Sequence, residues 1–295
     1  MSAPHAQVNT APPTPREMAQ IAIGLTVVCL LASILLGGVY LWTEPAKARN
    51  VAEREQRLIG ELLGLSVDAT VDEVRRYLVW RGPRLEVFYL GDARLVQLDA
   101  DGRLLATAEV PAEIARSTAN ADKDAWVEAF AEPGEQDRFQ YVGRFFAGRQ
   151  GGAPAGYVIE GETIGFKTWI RFFLAVDPDY RLRGIEIIEH EEDPGLGDQI
   201  EEPYFKNQFA GRDHEAIADI EVTKDPLPKA WRAALEALAE QDLDTWLRAH
   251  AADLEAHPDI HAITGATISS VAVADGVKRA LANFRKRMDL VEEHL

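Results

Sequence analysis

The sequence predicts an α+β protein: a single N-terminal transmembrane helix, then a domain with a mostly antiparallel sheet and flanking helices. Three observations carry this. From Ile21 to Leu41 no residue is charged, and spanning a bilayer takes about 20 apolar residues. Between Arg84 and Ile188, short runs rich in Val, Ile, Phe and Tyr alternate with turn residues such as Asp177-Pro178-Asp179-Tyr180, the pattern of strands joined by tight connections. From Val271, apolar residues recur as Val271, Ala274, Val277, Leu281, Phe284 and Met288, a helical stripe.

Taken in order, residues 1–18 read as a disordered N-terminus, with Pro4, Pro12, Pro13 and Pro15 among small polar residues. Residues 19–43 read as the transmembrane helix, with Tyr40 and Trp42 where interfacial aromatics belong. Ala46-Lys47-Ala48 resembles a signal-peptide cleavage site. The apolar run exceeds the roughly 7–15 residues of a signal h-region, which favours a retained anchor. Only Arg16 precedes the span, whereas Lys47, Arg49, Arg54 and Arg57 follow it. By the positive-inside rule this charge distribution places the large domain in the cytoplasm.

Residues 44–135 read as a membrane-proximal α/β part. Within it, 46–64 is expected as a helix, Val71 to Trp80 as a second short helix, and 84–90 and 93–98 as strands. Asp99-Ala100-Asp101-Gly102 makes a turn into a third strand, and 111–131 looks helical. From Gln140 to Ile188 the pattern is β, with a turn at Gly151-Gly152 and a hairpin at 177–180. Between Arg212 and Pro258, residues 230–238 and 246–254 read as two amphipathic helices. They serve either as a docking surface for a partner subunit or as cover for the sheet.

Composition narrows the function. A net charge of −17 over 295 residues argues against nucleic acid, whose phosphates demand a basic surface, and against broad adhesion to anionic lipid. The one cysteine, Cys29, allows no disulfide framework, Cys-based zinc site or Cys-ligated iron–sulfur cluster. No G-x-G-x-x-G turn is present. His257 and His261 are four apart with Pro258 between them, so no metal site is expected.

Two stretches carry chemistry. Thr264-Gly265-Ala266-Thr267-Ile268-Ser269-Ser270 directly precedes the predicted C-terminal helix. Free N–H groups and the positive pole of the macrodipole can hold a phosphate there; an ordinary Ser/Thr cap is the alternative. His190-Glu191-Glu192-Asp193-Pro194-Gly195-Leu196-Gly197 follows the last strand. Its Pro-Gly-Leu-Gly run is a constrained turn that exposes bare backbone.

These motifs resemble those of FMN-binding domains in Rnf- and Nqr-type electron-transport complexes. The first is similar to the flavinylation motif Asp-x-x-Ser/Thr-Gly-Ala-Thr, and the second to the loop His-x-Glu-Thr-Pro-Gly-Leu-Gly, with Asp193 replacing Thr. The family's Asp falls on His261; the nearest acid, Asp259, lies two residues too early. The resemblance covers about residues 140–285 and implies an FMN-binding domain over 136–290 with a helical insertion at 212–258. It includes a Gly-aromatic pair, Gly165-Phe166, before a long strand.

The resemblance implies FMN linked covalently to Thr267 through a phosphoester, installed by a flavin transferase. Thr264, Gly265, Ala266, Ile268 and Ser269 would surround the attachment point. Glu192, Pro194, Gly195, Leu196 and Gly197 would approach the isoalloxazine ring, with a Glu at its edge. It further implies a redox subunit of the Rnf G type in an ion-translocating oxidoreductase, the Nqr C type being the alternative. Multi-span membrane subunits and iron–sulfur or flavin subunits would be its partners. The soluble domain would lie on the periplasmic side of the bacterial inner membrane, opposite to the charge count. Readings from other classes are a membrane-tethered assembly or scaffold subunit lacking flavin, and a sensor-like FMN domain.

Overall fold

The computed structural model of the chain describes residues 14–66, 68–117 and 119–294. Two units emerge, residues 1–54 and 55–295.

Helix α1 spans Pro15–Leu63, and from Glu55 onward it belongs to the second unit. Its start is a capping box. The Thr14 N–H donates to Glu17 Oε2 at 2.8 Å, and the Glu17 N–H donates to Thr14 Oγ1 at 3.4 Å, with Pro15 at the first helical position. These contacts start the helix inside the stretch expected to be disordered; residues 1–13 of that stretch lie outside the described residues. The segment Pro15–Tyr40 has a mean hydropathy of 2.5 and no buried residue, and is long and apolar enough to cross a membrane. The hydroxyls of Thr26 and Ser33 donate to the carbonyls four residues back, so these polar groups bring no unpaired donor into the apolar run. The helix ends with Gly64 at φ +63°. The Leu65 N–H donates to Gly60 O and the Gly64 N–H to Glu61 O, a Schellman closure.

The second unit is built on one eight-stranded sheet. Strands β1 (Thr70–Arg81), β2 (Arg84–Leu90), β3 (Arg94–Asp99) and β4 (Leu104–Glu109) form one meander. Helices α2 (Ala112–Ala115) and α3 (Asn120–Ala131) lead to a second meander. It comprises β5 (Arg138–Gln150), β6 (Ala153–Ile164), β7 (Trp169–Val176) and β8 (Leu182–Glu189). The spatial order is β4-β3-β2-β1-β5-β6-β7-β8, and every neighbouring pair is antiparallel. The meanders meet at β1 and β5, so the boundary expected near residue 135 is not a break between sheets.

The two meanders share their turns. Asp99 Oδ1 accepts from the N–H groups of Asp101 and Arg103, each at 2.9 Å, and Asp177 Oδ1 does the same for Asp179 and Arg181. The residue before each Arg has positive φ: Gly102 at +84°, Tyr180 at +62°.

Residues 71–80, expected as a helix, are strand β1. Both of its faces are covered: Tyr77 and Val79 pack with Val127 and Ala131 of α3, while Val74 joins the core on the opposite face. A strand buried on both sides loses its alternation, and Val71, Val74 and Leu78 fall by chance at helical spacing.

After β8 come α4 (Pro203–Lys206), α5 (His214–Asp219) and the short strand β9 (Val222–Thr223). Helices α6 (Lys229–Ala237), α7 (Leu243–Ala249) and α8 (Ala251–Ala256) follow. The second expected helix of the insertion is thus two helices meeting at His250. Their core is Trp231, Leu235 and Trp246. Strand β10 (Ile260–His261) pairs in parallel with β9, and α9 (Thr267–Val291) ends the fold.

Helix α9 lies across one face of the sheet, its Val273, Ala274, Val277, Leu281, Phe284 and Met288 buried. Val271, expected in that stripe, is 37% exposed. Close approach is allowed by Gly276, where a Cβ would stand 3.0 Å from Phe172 and from Thr163. On the other face, Ile59 and Leu63 of α1 cover Phe146, Val158 and Phe173, and α3 covers the first meander. The result is helices, sheet, helices: a three-layer α+β unit.

Phe284 is the centre of the α9 layer, with ring centroids 5.1 Å from Phe145 and 5.4 Å from Tyr157. Phe284→Ala should lower stability by about 3–5 kcal/mol, read as a shifted denaturant midpoint of the detergent-solubilised chain.

A charged network occupies the opposite face. Burial raises the pKa of Glu73, but the hydrogen bond from Lys123 and the charges of Lys123, Arg144 and Arg75 outweigh it, and the net shift is downward from 4.5. Glu160 is lowered in the same way by Arg144 and Arg171. A carboxylate with a depressed folded-state pKa contributes stability above its unfolded value, and that contribution is lost as pH falls through the folded value. Acidification below 4.5 should therefore destabilise the protein. Thermal melts across that range should show a shallower decline for Glu73→Gln than for the native chain.

Candidate functional site

The site forms where three segments converge at one end of the sheet. The first is the β6–β7 turn, in which the Gly165 N–H donates to Thr168 O at 2.8 Å. The second is the loop after β8. In it the Leu196 N–H donates to Asp193 O at 3.1 Å, and Gly195 has φ +76°. Pro194 at the second position and a left-handed Gly195 at the third make this a type II turn. The third is the start of α9. The Ala266 N–H donates to Ile263 O at 2.9 Å, and Gly265, at φ +85°, again takes the third place of a turn.

Glu192 joins all three. It is 5% exposed. Its Oε1 accepts from the backbone N–H groups of Phe166 at 2.9 Å and Lys167 at 3.1 Å, and its Oε2 accepts from the Ser269 hydroxyl. A buried carboxylate is tolerable only with such partners. The Glu192 N–H donates to His190 Nδ1 at 3.0 Å, and the opposite ring nitrogen, Nε2, lies 2.9 Å from Glu201 Oε1. One neutral tautomer, with the proton on Nε2, satisfies both contacts. Outside this clasp, the Lys167 ammonium pairs with Asp193.

Two glycines are needed by the clasp. A Cβ on Gly197 would stand 2.8 Å from the Glu192 Cβ and 3.2 Å from the Ser269 Oγ. One on Gly165 would collide with Glu192 Oε1. Helix α9 is started by Ser270, whose hydroxyl accepts from the Ile263 N–H and donates to Ala266 O, both at 3.0 Å. Among the described residues, the Thr267 hydroxyl makes no hydrogen bond and is half-buried at the cleft wall.

The resulting cleft has a volume of about 330 Å³. Of the residues singled out in the sequence, Glu192, Leu196, Gly197, Gly265, Ala266, Thr267, Ile268 and Ser269 line it. Thr264, Pro194 and Gly195 do not line it; they belong to the two turns that shape its edges. Sequence reasoning missed Phe166 and Asp193 as lining residues; the Gly165-Phe166 pair was the available signal. Phe166, Leu196 and Ile268 are 59%, 45% and 58% exposed, an apolar mouth around a polar floor. Glu192, expected at the ring edge, has both carboxylate oxygens engaged by protein donors.

His261 is not a cleft-lining residue. It is buried, its N–H donates to Gln208 Oε1 at 2.7 Å, and its Nδ1 lies 3.0 Å from Asp225 O. Its ring meets that of His257 edge-on at 5.5 Å. Burial and the neighbouring His261 lower the pKa of His257. Among the described residues, no group of three or more His, Cys, Asp or Glu is placed to hold a metal ion.

The cleft is walled by two glycine turns, with a long helix beginning at its rim, and the model of the FMN-binding domain family matches residues 165–282, which include all three segments. Relatives extend the likeness. The chain is 27% identical over 150 residues to the G subunit of the proton-translocating ferredoxin:NAD(+) oxidoreductase complex of Clostridium ljungdahlii, covering 50% of this chain and 64% of that protein. It is 28% identical over 131 residues to the G subunit of the ion-translocating oxidoreductase complex of Methanosarcina acetivorans, 44% of this chain and 52% of that protein. It is 25% identical over 231 residues to the C subunit of the Na(+)-translocating NADH-quinone reductase of Vibrio campbellii, 74% of this chain and 82% of that protein. The chain thus spans between about half and two thirds of the length of these G-type relatives. The crystal structure of Shewanella oneidensis NqrC superposes with a TM-score of 0.44 at 15% identity, covering 82% of this chain and 99% of that one. Over residues 165–282 the chain is similar to FMN-binding domains, and its relatives include Rnf G-type and Nqr C-type subunits.

Glu192→Ala would leave two backbone N–H groups and the Ser269 hydroxyl without their acceptor, each costing about 1–3 kcal/mol while buried. The variant should melt at lower temperature and exchange the Phe166 and Lys167 amides faster in hydrogen-exchange mass spectrometry. Glu192→Gln, which keeps one carbonyl acceptor, should fall between the two.

Proposed function

We propose that this chain is an electron-transfer subunit of a membrane-bound Rnf-type ion-translocating oxidoreductase, carrying FMN on Thr267 through a phosphoester. The observation that carries this reading is the position of Thr267, an unengaged hydroxyl at the first turn of α9 and at the wall of the cleft. A phosphate esterified there meets the free N–H groups and positive pole of a 25-residue helix. Gly265 adds no side chain of its own beside that hydroxyl, where a Cβ would stand 2.9 Å from Leu196 Cδ2.

The remaining residues fit the rest of the cofactor. Phe166, Leu196 and Ile268 offer apolar surface to a flat ring, and Gly197 brings backbone without a side chain to the same wall. When bound, FMN supplies the capacity to accept and release electrons one or two at a time. The chain supplies the cleft, the anchoring hydroxyl and the clasp that fixes both walls. Covalent attachment at the phosphate prevents cofactor loss while leaving the ring to be tuned by the loop.

The relatives named for ferredoxin:NAD(+) and NADH-quinone oxidoreductase complexes support membership of such an assembly, with multi-span and iron–sulfur or flavin subunits as partners. The G type of the Rnf complexes is preferred, and the C type of the Nqr complexes is the alternative. In this reading Pro15–Tyr40 is the anchor and the cleft-bearing unit lies on the periplasmic side of the inner membrane. A flavin transferase would modify Thr267. His261 bears on that step, because its ring is committed to Asp225 and His257 instead of offering a carboxylate.

The intact mass of the denatured protein from its native membrane should exceed the sequence mass by that of FMN less water. Thr267→Ala should abolish the increment. An unmodified native chain that still copurifies with yellow, noncovalent flavin would reject the phosphoester but keep the flavin cleft. A colourless chain would reject both.

A further inference from the structure

Away from the cleft, α5 and α9 enclose a groove of about 360 Å³. Its rim carries Lys278, Arg285 and Lys286 from α9 and His214 from α5, over a floor that includes Ile217 and Leu281. Positions 278, 285 and 286 are seven and eight residues apart and therefore share one helix face.

Three features set this groove apart. The chain carries a net charge of −17, yet three cations gather here. Among the described residues none of the three makes an ion pair. Some other cations of the fold, among them Arg75, Arg144 and Lys206, are bound to carboxylates. Asp289 also lines the groove and stands four residues from Arg285, but it forms no salt bridge with it. The macrodipole does not account for the cluster: its effect is confined to the last turn, and Lys278 lies three turns before Val291.

We propose that this groove binds an organic phosphate. The phosphate would be held by Lys278, Arg285 and Lys286, and its carbon portion would rest on the Ile217–Leu281 floor. A tetrahedral dianion or diester can accept from a guanidinium and two ammonium groups at once, which a single carboxylate does less completely. The acidic remainder of the surface repels extended anionic assemblies, so the groove selects one phosphate group over broad adhesion. Such a group comes from an acidic phospholipid or from a soluble phosphate ester, and the two are separable.

The test uses the full chain in neutral detergent, with lysine acetylation rates read by mass spectrometry. Lys224 and Lys229, exposed and outside the groove, are internal controls. Phosphatidylglycerol in the micelle should slow acetylation of Lys278 and Lys286 at least several-fold, and phosphatidylcholine should not. If glycerol 3-phosphate in solution gives the same protection, the source is a soluble ester. If only the lipid protects, it is a headgroup. Arg285→Glu, at an exposed position, should remove the protection while leaving the circular dichroism spectrum unchanged. No protection by either compound would overturn the proposal. So would equal protection by phosphatidylcholine, or protection that survives Arg285→Glu.

Discussion

The cleft exists because one buried carboxylate finds three donors from segments far apart in sequence. Glu192 lies 26 residues from Phe166 and 77 from Ser269, and each segment brings a group that would otherwise be unsatisfied. A carboxylate in such surroundings is costly alone and favourable only when fully hydrogen-bonded. The three walls are therefore coupled: displacing one exposes the needs of the other two. Gly165 and Gly197 are required because the clasp leaves no room for a side chain beside it, and not because of their own backbone angles.

The sheet supplies the rigidity that lets so small a clasp fix a site. Strands β6 and β7 run under α9, and Gly161 and Gly276 admit the Phe172 ring between sheet and helix. The start of α9 is thereby set relative to the β6–β7 turn before any loop contact is made. On the other face, the charges of Glu55, Glu73 and Glu160 meet around Arg144, joining the end of α1 to strands of both meanders. Two meanders with the same Asp-centred turn, joined at β1 and β5, give a sheet wide enough for helices on both faces.

Local chemistry is legible in the sequence; long-range pairing is not. The turns at Asp177, Pro194 and Gly265 can be read because Pro, Gly and Asp impose their geometry within four residues. The α9 stripe can be read from Ala274 to Met288, since one face of a long helix repeats regularly. Strand β1 reads wrongly because burial on both faces erases the alternation by which strands are recognised. The partners of Glu192 are hidden for a related reason. A lone acid in a loop looks free, and only the fold shows that Phe166, Lys167 and Ser269 claim its oxygens. Phe166 itself is legible only as half of a Gly-aromatic pair, since nothing local says that its ring stands at the mouth of a cleft.

The insertion shows how a peripheral segment reaches the site. Arg212 at its start is 7% exposed and donates to Gln208 O, Pro258 O and His257 O, at 2.7, 2.6 and 2.7 Å. Among the described residues it meets no carboxylate directly, and burial pushes its pKa down to about 10. Three carbonyls substitute for water around a cation that remains charged at neutral pH. Gln208, fully buried, meets the backbone of His261 on both sides, as a neighbouring strand would. Together these residues close the neck of the excursion and deliver the chain to Ile263, where the turn into α9 begins. Sequence changes within α6 to α8 can therefore alter the insertion's outer surface while Arg212 and Gln208 keep Thr267 in register with the cleft. The helices also pack back on that neck, Trp231 stacking on the His257 ring at 5.5 Å and Leu235 O accepting from Asn207 Nδ2.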